Sequence, residues 1–253
     1  MSSVAATRAQ ILNKVPEVTL AFWVIKVLST TIGETGADYL AVRVGLGPLV
    51  TGLAMTALLA GAMVLQVRVD RYVPWIYWLA VVLVSIVGTQ ITDALTDGLD
   101  VSLYLSTAVF AVALVAIFAV WYLQERTLSI RSIFTRRREL YYWAAILCTF
   151  ALGTAAGDLA TEALGLGFQV GLLAFGVVIA CAALAYYLGA DEILTFWIAY
   201  VLTRPLGASL GDLLSQARTY GGLGFGTAAT SAIFLAVIVT LVVAMTYAQR
   251  ESA

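Results

Sequence analysis

Histidine is missing from this sequence, and cysteine occurs twice, at Cys148 and Cys181, both inside apolar runs. The zinc, copper and haem sites that proteins build from imidazole and thiolate are thereby excluded as far as side chains go. Two isolated cysteines do not suggest a disulfide framework either. Any bound metal would have to be a hard, oxygen-loving cation. Charge is scarce as well: 11 % of residues are charged, where soluble domains carry roughly a quarter. The formal net charge is −1, so no global field singles out nucleic acid as a partner. The short stretch Met1–Lys14 runs into a full-length apolar span without a small-residue cleavage site, and no removable signal peptide is expected.

What fills the chain is apolar: 62 % of its residues are hydrophobic and the mean hydropathy is +0.96. A chain with so little polar surface has lipid as its solvent. There, every backbone polar group needs an internal partner, which leaves helices or closed barrels. The runs are continuous rather than alternating, so the expectation is an all-α polytopic membrane protein with a single membrane domain over residues 1–253. A spanning helix takes about 20 residues. Eight segments qualify: Val18–Leu40, Pro48–Leu65, Pro74–Leu95, Val101–Leu123, Leu140–Leu159, Phe168–Leu188, Ile193–Leu213 and Phe225–Tyr247.

Basic residues orient these spans. Arg8, Lys14, Arg68, Arg71, Arg126, Arg131, Arg136, Arg137, Arg138 and Arg250 fall on one side, Arg43 and Arg218 on the other. The positive-inside rule then makes both termini cytoplasmic. The basic loop Gln124–Glu139 reads as a topology signal that can also meet anionic headgroups.

The odd-numbered spans share a pattern of Trp, nine residues, Gly, four residues, Asp. The copies are Trp23-Gly33-Asp38, Trp78-Gly88-Asp93, Trp143-Gly153-Asp158 and Trp197-Gly207-Asp212. After each Asp comes Gly45-Leu46-Gly47, Gly98-Leu99-Asp100, Gly165-Leu166-Gly167 or Gly222-Leu223-Gly224, then the even-numbered span. This is a fourfold duplication over approximately 14–66, 70–124, 138–189 and 190–248. Two spans per copy make the repeats parallel, so their axis runs along the membrane normal and the helices either surround it or pair two plus two. The Trp-to-Asp distance is about 22 Å at 1.5 Å per residue. That puts Trp near the cytoplasmic interface and all four Asp at one depth toward the outside. The Gly reads as a close helix crossing.

Intramembrane carboxylates are costly and mark candidate sites, and here they are doubled. Glu34 lies four residues before Asp38, Asp97 four after Asp93, and Glu162 four after Asp158. That spacing puts both members of a pair on one helix face, where they repel unless a proton or cation intervenes. The fourth copy offers Asp212 with Ser215 and Gln216. An oxygen-only set suits Mn, Mg or Ca, and carboxylates around an axis also couple as a proton-carrying set. Against this stands the reading that each Asp only shapes the following turn. Lys26 and Arg204, within odd-numbered spans, are expected to pair with carboxylates of neighbouring repeats, as structural ties or as gates. The hydroxyls of Thr30, Thr31, Ser85, Thr89, Thr92, Thr149, Thr154, Thr203 and Ser209 are expected to bond helix backbones.

With the repeat in hand, and Lys14-Val15-Pro16-Glu17-Val18-Thr19 leading into Thr31-Ile32-Gly33-Glu34-Thr35-Gly36-Ala37-Asp38, the chain resembles a family of bacterial membrane proteins defined by a repeat of unknown function. The resemblance covers nearly the whole chain and implies a bacterial inner-membrane protein of repeated two-helix units. Asp100, where the other copies have Gly, departs from the pattern and puts the second outer turn in question.

The leading expectation is a transporter or channel for a small cation, manganese or magnesium first, captured by Glu34, Asp38, Asp93, Asp97, Asp158, Glu162 and Asp212. No resident cofactor is required beyond such a bound divalent cation. The alternatives are a proton-coupled carrier of another small solute and a non-transporting sensor or scaffold. An enzyme is not expected. Ser209-Leu210-Gly211-Asp212 lacks the first Gly of the membrane aspartyl protease signature, and Asp93-Ala94-Leu95-Thr96-Asp97-Gly98 misses the membrane phosphotransferase start by one residue. The expected partners are the lipid bilayer and a small cation. A fourfold internal repeat needs no oligomerisation, and a homo-oligomer stays open.

Overall fold

The computed structural model describes residues 13–251; the side chains of Glu34, Ala37, Asp38 and Arg43 lie outside the described set. Eight long helices account for most of it: α1 Leu20–Asp38, α2 Gly47–Arg68, α3 Pro74–Thr96, α4 Leu103–Glu125, α5 Arg136–Asp158, α6 Gly167–Tyr187, α7 Glu192–Ser215 and α8 Thr227–Glu251. Seven are long and apolar enough to cross a membrane, and α1 contains a shorter apolar stretch, Leu20–Gly33.

Local chemistry sets the ends. Thr19, Ser102, Thr135 and Asp191 cap α1, α4, α5 and α7 with side-chain oxygens, and prolines open α2 and α3. α5 starts at Arg136, four residues before the apolar run. Its first turn is charged, yet Glu139 is fully buried because Lys14 Nζ meets its carboxylate at 2.7 Å and Gln66 Nε2 donates to it at 3.1 Å.

The packing is cyclic. α1, α3, α5 and α7 form a closed ring in which each touches the next and α7 returns to α1. Each even-numbered helix lies outside the ring on the first helix of the following repeat: α2 on α3, α4 on α5, α6 on α7, and α8 back on α1. The ring helices α3, α5 and α7 are 72 %, 67 % and 61 % buried over their apolar windows, against 11–17 % for the outer four. That contrast is what a bundle with lipid as its outer solvent requires.

Two sets of contacts fix the register, and both run once around the ring. An added Cβ at Gly33, Gly88, Gly153 or Gly207 would collide with Ser85, Phe150, Arg204 or Thr30 respectively, always the residue seven after the Trp on the next ring helix. The expected glycine crossing is therefore present four times. The second set is aromatic. Each Trp follows an aromatic residue, which forms an edge-on pair with it: Phe22–Trp23, Tyr77–Trp78, Tyr142–Trp143 and Phe196–Trp197. Each leading ring also meets the next Trp, at 5.6 Å for Phe22–Trp78, 5.5 Å for Tyr77–Trp143, 6.3 Å for Tyr142–Trp197 and 5.7 Å for Phe196–Trp23. Trp78, Trp143 and Trp197 are consequently buried in the bundle, not spread along a lipid interface.

The far end is less symmetric. After Asp38 and Asp158 the helices widen into single π-helical turns, Tyr39–Arg43 and Leu159–Ala163, followed by Gly-Leu-Gly with both glycines at positive φ. α3 and α7 end without such a turn. The ring thus surrounds one axis while its far-end turns alternate two plus two.

Candidate functional site

The interior of the ring is layered. Nearest the helix N-termini lies the aromatic layer, with Phe22, Tyr77 and Tyr142 fully buried and the Tyr77 and Tyr142 hydroxyls 2.5 Å apart. One turn along, at the position three after each Trp, stand Lys26, Val81, Ile146 and Tyr200. Lys26 is fully buried, with Nζ 4.1 Å from the Phe150 ring centre and 4.4 Å from that of Tyr200. Among the described residues it has no hydrogen-bond partner, so two aromatic faces hold the ammonium group.

Another turn along lies Arg204, the fourth repeat's counterpart of Thr30, Ser85 and Phe150. It too is fully buried, and its Nη2 donates to Thr89 Oγ1 at 2.5 Å and Thr154 Oγ1 at 2.7 Å. Those hydroxyls occupy the repeat position that Glu34 holds in the first copy and Ala208 in the last. Gly153 gives the arginine its room, since no side chain there could pass the Arg204 Cγ. The two interior cations therefore sit on different supports, hydroxyls for Arg204 and rings for Lys26.

Of the hydroxyls along the ring, Thr30, Thr31, Thr89, Thr92, Thr154 and Thr203 do bond helix carbonyls. Thr31 reaches Gly207 O and Thr92 reaches Ala151 O, tying neighbouring helices together. Ser85, Thr149 and Ser209 have no such bond among the described residues.

The repeat carboxylates lie at the other end of the ring. Asp93, Asp158 and Asp212 are half-buried and Asp97 and Glu162 are exposed; Asp93, Asp158, Glu162 and Asp212 are each engaged in a polar or electrostatic contact. Glu34 and Asp38 lie on α1, but their side chains are outside the described residues. Among the described residues no three acidic, cysteine or histidine side chains come together as a metal site. The structure thus brings Lys26 and Arg204 to the axis, and puts Asp97 and Glu162 at the rim.

Reading the sequence alone missed the aromatic residue before each Trp, although all four copies carry one and its constancy was the available signal. It also missed Tyr200, whose position is shared with Lys26 and not with another polar residue.

Compared with known proteins, the chain matches the family model described as Repeat of Unknown Function (DUF347) four times, over residues 21–72, 76–127, 141–190 and 195–251. Each match contains one complete Trp-Gly-Asp copy. No curated protein and no solved structure matches it.

Proposed function

The chain belongs to this four-copy repeat family, and from that premise we propose that it is a carrier for a small cation in the bacterial inner membrane. All eight helices cross the bilayer as four parallel two-helix repeats, with both termini in the cytoplasm. The cargo is a divalent cation, manganese or magnesium, collected at the outer end by Asp97 and Glu162 and held by Glu34, Asp38, Asp93, Asp158 and Asp212.

The observation that supports this reading is the closed ring of four helices, each of which carries its repeat aspartate toward the same end. Beneath that end the axis is filled by Arg204, Lys26, Tyr200 and the Tyr77–Tyr142 pair, all fully buried. A filled axis favours a carrier that alternates over an open channel. In such a carrier, interior cations compete with the cargo for the carboxylates, which makes binding exchangeable.

One observation favours the second reading, a proton-coupled carrier of another small solute. A metal ion moving along the axis would meet both Lys26 and Arg204, whose charges oppose it.

The deciding experiment is flux into proteoliposomes, with manganese, magnesium, calcium, sodium and protons offered in turn to the wild type and to Asp38→Asn with Asp158→Asn. Flux of one cation, lost in the double variant, supports the cation reading. Absence of cation flux in two well-folded proteins removes it and leaves the solute carrier.

A further inference from the structure

Beneath Lys26 the ring holds a run of phenols that the carboxylate site does not use. Tyr200 lies with its ring face 4.4 Å from Lys26 Nζ, and its own hydroxyl is buried without a hydrogen-bond partner among the described residues. Tyr200 and Tyr142 pack on the same Trp197 ring, with ring centres 5.7 Å and 6.3 Å from it. Tyr142 and Tyr77 share a hydrogen bond of 2.5 Å. The Tyr77 ring lies 5.7 Å from that of Tyr72, whose hydroxyl accepts from Trp78 Nε1 at 3.2 Å. Tyr72 stands in the loop before α3 and is only half-buried, so the run ends where water begins.

We propose that Lys26 is the proton-carrying residue of the transport cycle and that Tyr200, Tyr142, Tyr77 and Tyr72 are its route to the N-terminal end of the ring. The step balances without a co-reactant. An Nζ–H bond of the ammonium breaks, its proton joins the Tyr200 hydroxyl oxygen, and each phenol passes its own proton onward until water beside Tyr72 accepts one. The phenols end as they began, and Lys26 is left a neutral amine. Among the described residues only the Tyr142–Tyr77 bond of this run is made; Lys26 Nζ and the Tyr200 hydroxyl have no hydrogen-bond partner and Tyr77 meets Tyr72 through its ring, so the route opens only when the Lys26 ammonium and the Tyr200 and Tyr72 hydroxyls turn to complete the other links.

Few other titratable groups face this place. α7 adds the permanently charged Arg204, α3 and α5 bring Tyr77 and Tyr142, and α8 carries Tyr247, Arg250 and Glu251 only at its end. On α1 itself the next acidic residues are Glu34 and Asp38, eight and twelve positions farther along. Glu139, at the start of α5, is already held by Lys14.

This inference rests on the carrier reading, yet it can be tested apart from it. The chain has two lysines, Lys14 and Lys26. In full-length protein labelled at the lysine ε-carbon and placed in lipid nanodiscs, nuclear magnetic resonance therefore shows two signals, with Lys14, paired to Glu139, as the folding control. The Lys26 signal is expected to change with pH while the Lys14 signal reports that the fold is intact. Proton exchange at Lys26 is expected to slow by about a hundredfold in Tyr142→Phe, as when a proton-transfer partner is removed. A Lys26 signal indifferent to pH, or exchange unchanged in Tyr142→Phe with the Lys14 signal in place, overturns the proposal.

The second arm is flux. Cation movement accompanied by proton countermovement, the latter abolished in Lys26→Arg, supports it, because arginine keeps the charge and does not release the proton. Cation movement with no proton countermovement overturns it. If Lys26 titrates through Tyr142 while no ion moves, the proton route stands and the transport reading alone fails.

Discussion

Gly153 lies so close to Arg204 that a methyl group at its Cα would fall 2.3 Å from the arginine Cγ and 3.1 Å from Pro205 Cδ. One missing side chain on α5 therefore makes room for the buried guanidinium on α7. Gly153→Ala should destabilise the bundle by about 1–3 kcal/mol through overpacking and displace Arg204 from Thr89 and Thr154. Gly52 and Gly61 on α2 have nothing within 4 Å of an added Cβ. Their alanine variants should match the wild type or exceed it slightly. Thermal unfolding in detergent, followed by circular dichroism, separates the two classes.

The ion pair between Lys14 and Glu139 is buried on both sides, while that between Arg131 and Glu192 is exposed on both. Removing one partner of a buried pair strands a charge and costs about 3–5 kcal/mol. Exposed pairs contribute about 0–1 kcal/mol. Lys14→Met alone should therefore be strongly destabilising, Lys14→Met with Glu139→Leu markedly less so, and Glu192→Gln close to neutral. Chemical denaturation of the four proteins tests the ranking; equal losses for Lys14→Met and Glu192→Gln would contradict it.

Phe196 in the last repeat touches Trp23 in the first and closes the aromatic circuit. If that contact is part of a ring, the two positions are energetically coupled despite their separation along the chain. A double-mutant cycle of Trp23→Leu and Phe196→Leu should show a coupling of about 0.5–1.5 kcal/mol. Strictly additive losses would argue that the first and last repeats are held together elsewhere.

The helices and the glycine crossings were legible in the sequence because each rests on a local property, apolar length or the absence of a side chain, repeated four times at one spacing. The place of each Trp near the N-terminal end of its ring helix was legible too. Their direction was not, since hydropathy places a Trp along the membrane normal and says nothing of which way it faces; the contacts of Phe22, Tyr77, Tyr142 and Phe196 turn three of the four inward. Lys26 and Arg204 were visible as odd charges, but their supports come from other repeats. Phe150, Thr89 and Thr154 are far away in the chain, and only ring closure brings them to the axis. The early start of α5 at Arg136 was hidden for a similar reason, because Glu139 is neutralised by a lysine 125 residues away.

Asp100 takes the place of a repeat glycine and keeps its backbone, with φ at +60°. The turn between α3 and α4 thus meets the glycine requirement at this position with an aspartate, one of the few residues that tolerate it. Asp100→Gly should raise stability by about 0.5–1 kcal/mol by relieving the left-handed strain. Asp100→Val, with a branched side chain at the same φ, should lower it. Melting temperatures of the two variants check the sign, and a Val variant as stable as the Gly variant would mean that the turn has shifted.

The carboxylates at the C-terminal ends of the ring helices differ in exposure, and in a carrier that difference becomes an order of effects. Asp158 is half-buried at the end of a ring helix, immediately before a π-helical turn, whereas Glu162, four residues on within that turn, is exposed. A carboxylate that replaces the water around a cation does more for transport than one that only raises its local concentration. Asp158→Asn is therefore expected to reduce cation flux on the order of tenfold or more, and Glu162→Gln by no more than about twofold. The small Glu162 effect should also vanish at high ionic strength, where exposed charges are screened over about 3 Å at 1 M salt. Initial rates of uptake into proteoliposomes at low and high salt decide the point. A Glu162→Gln defect that is large and independent of salt would move the binding site outward, from the ends of the ring helices to the rim.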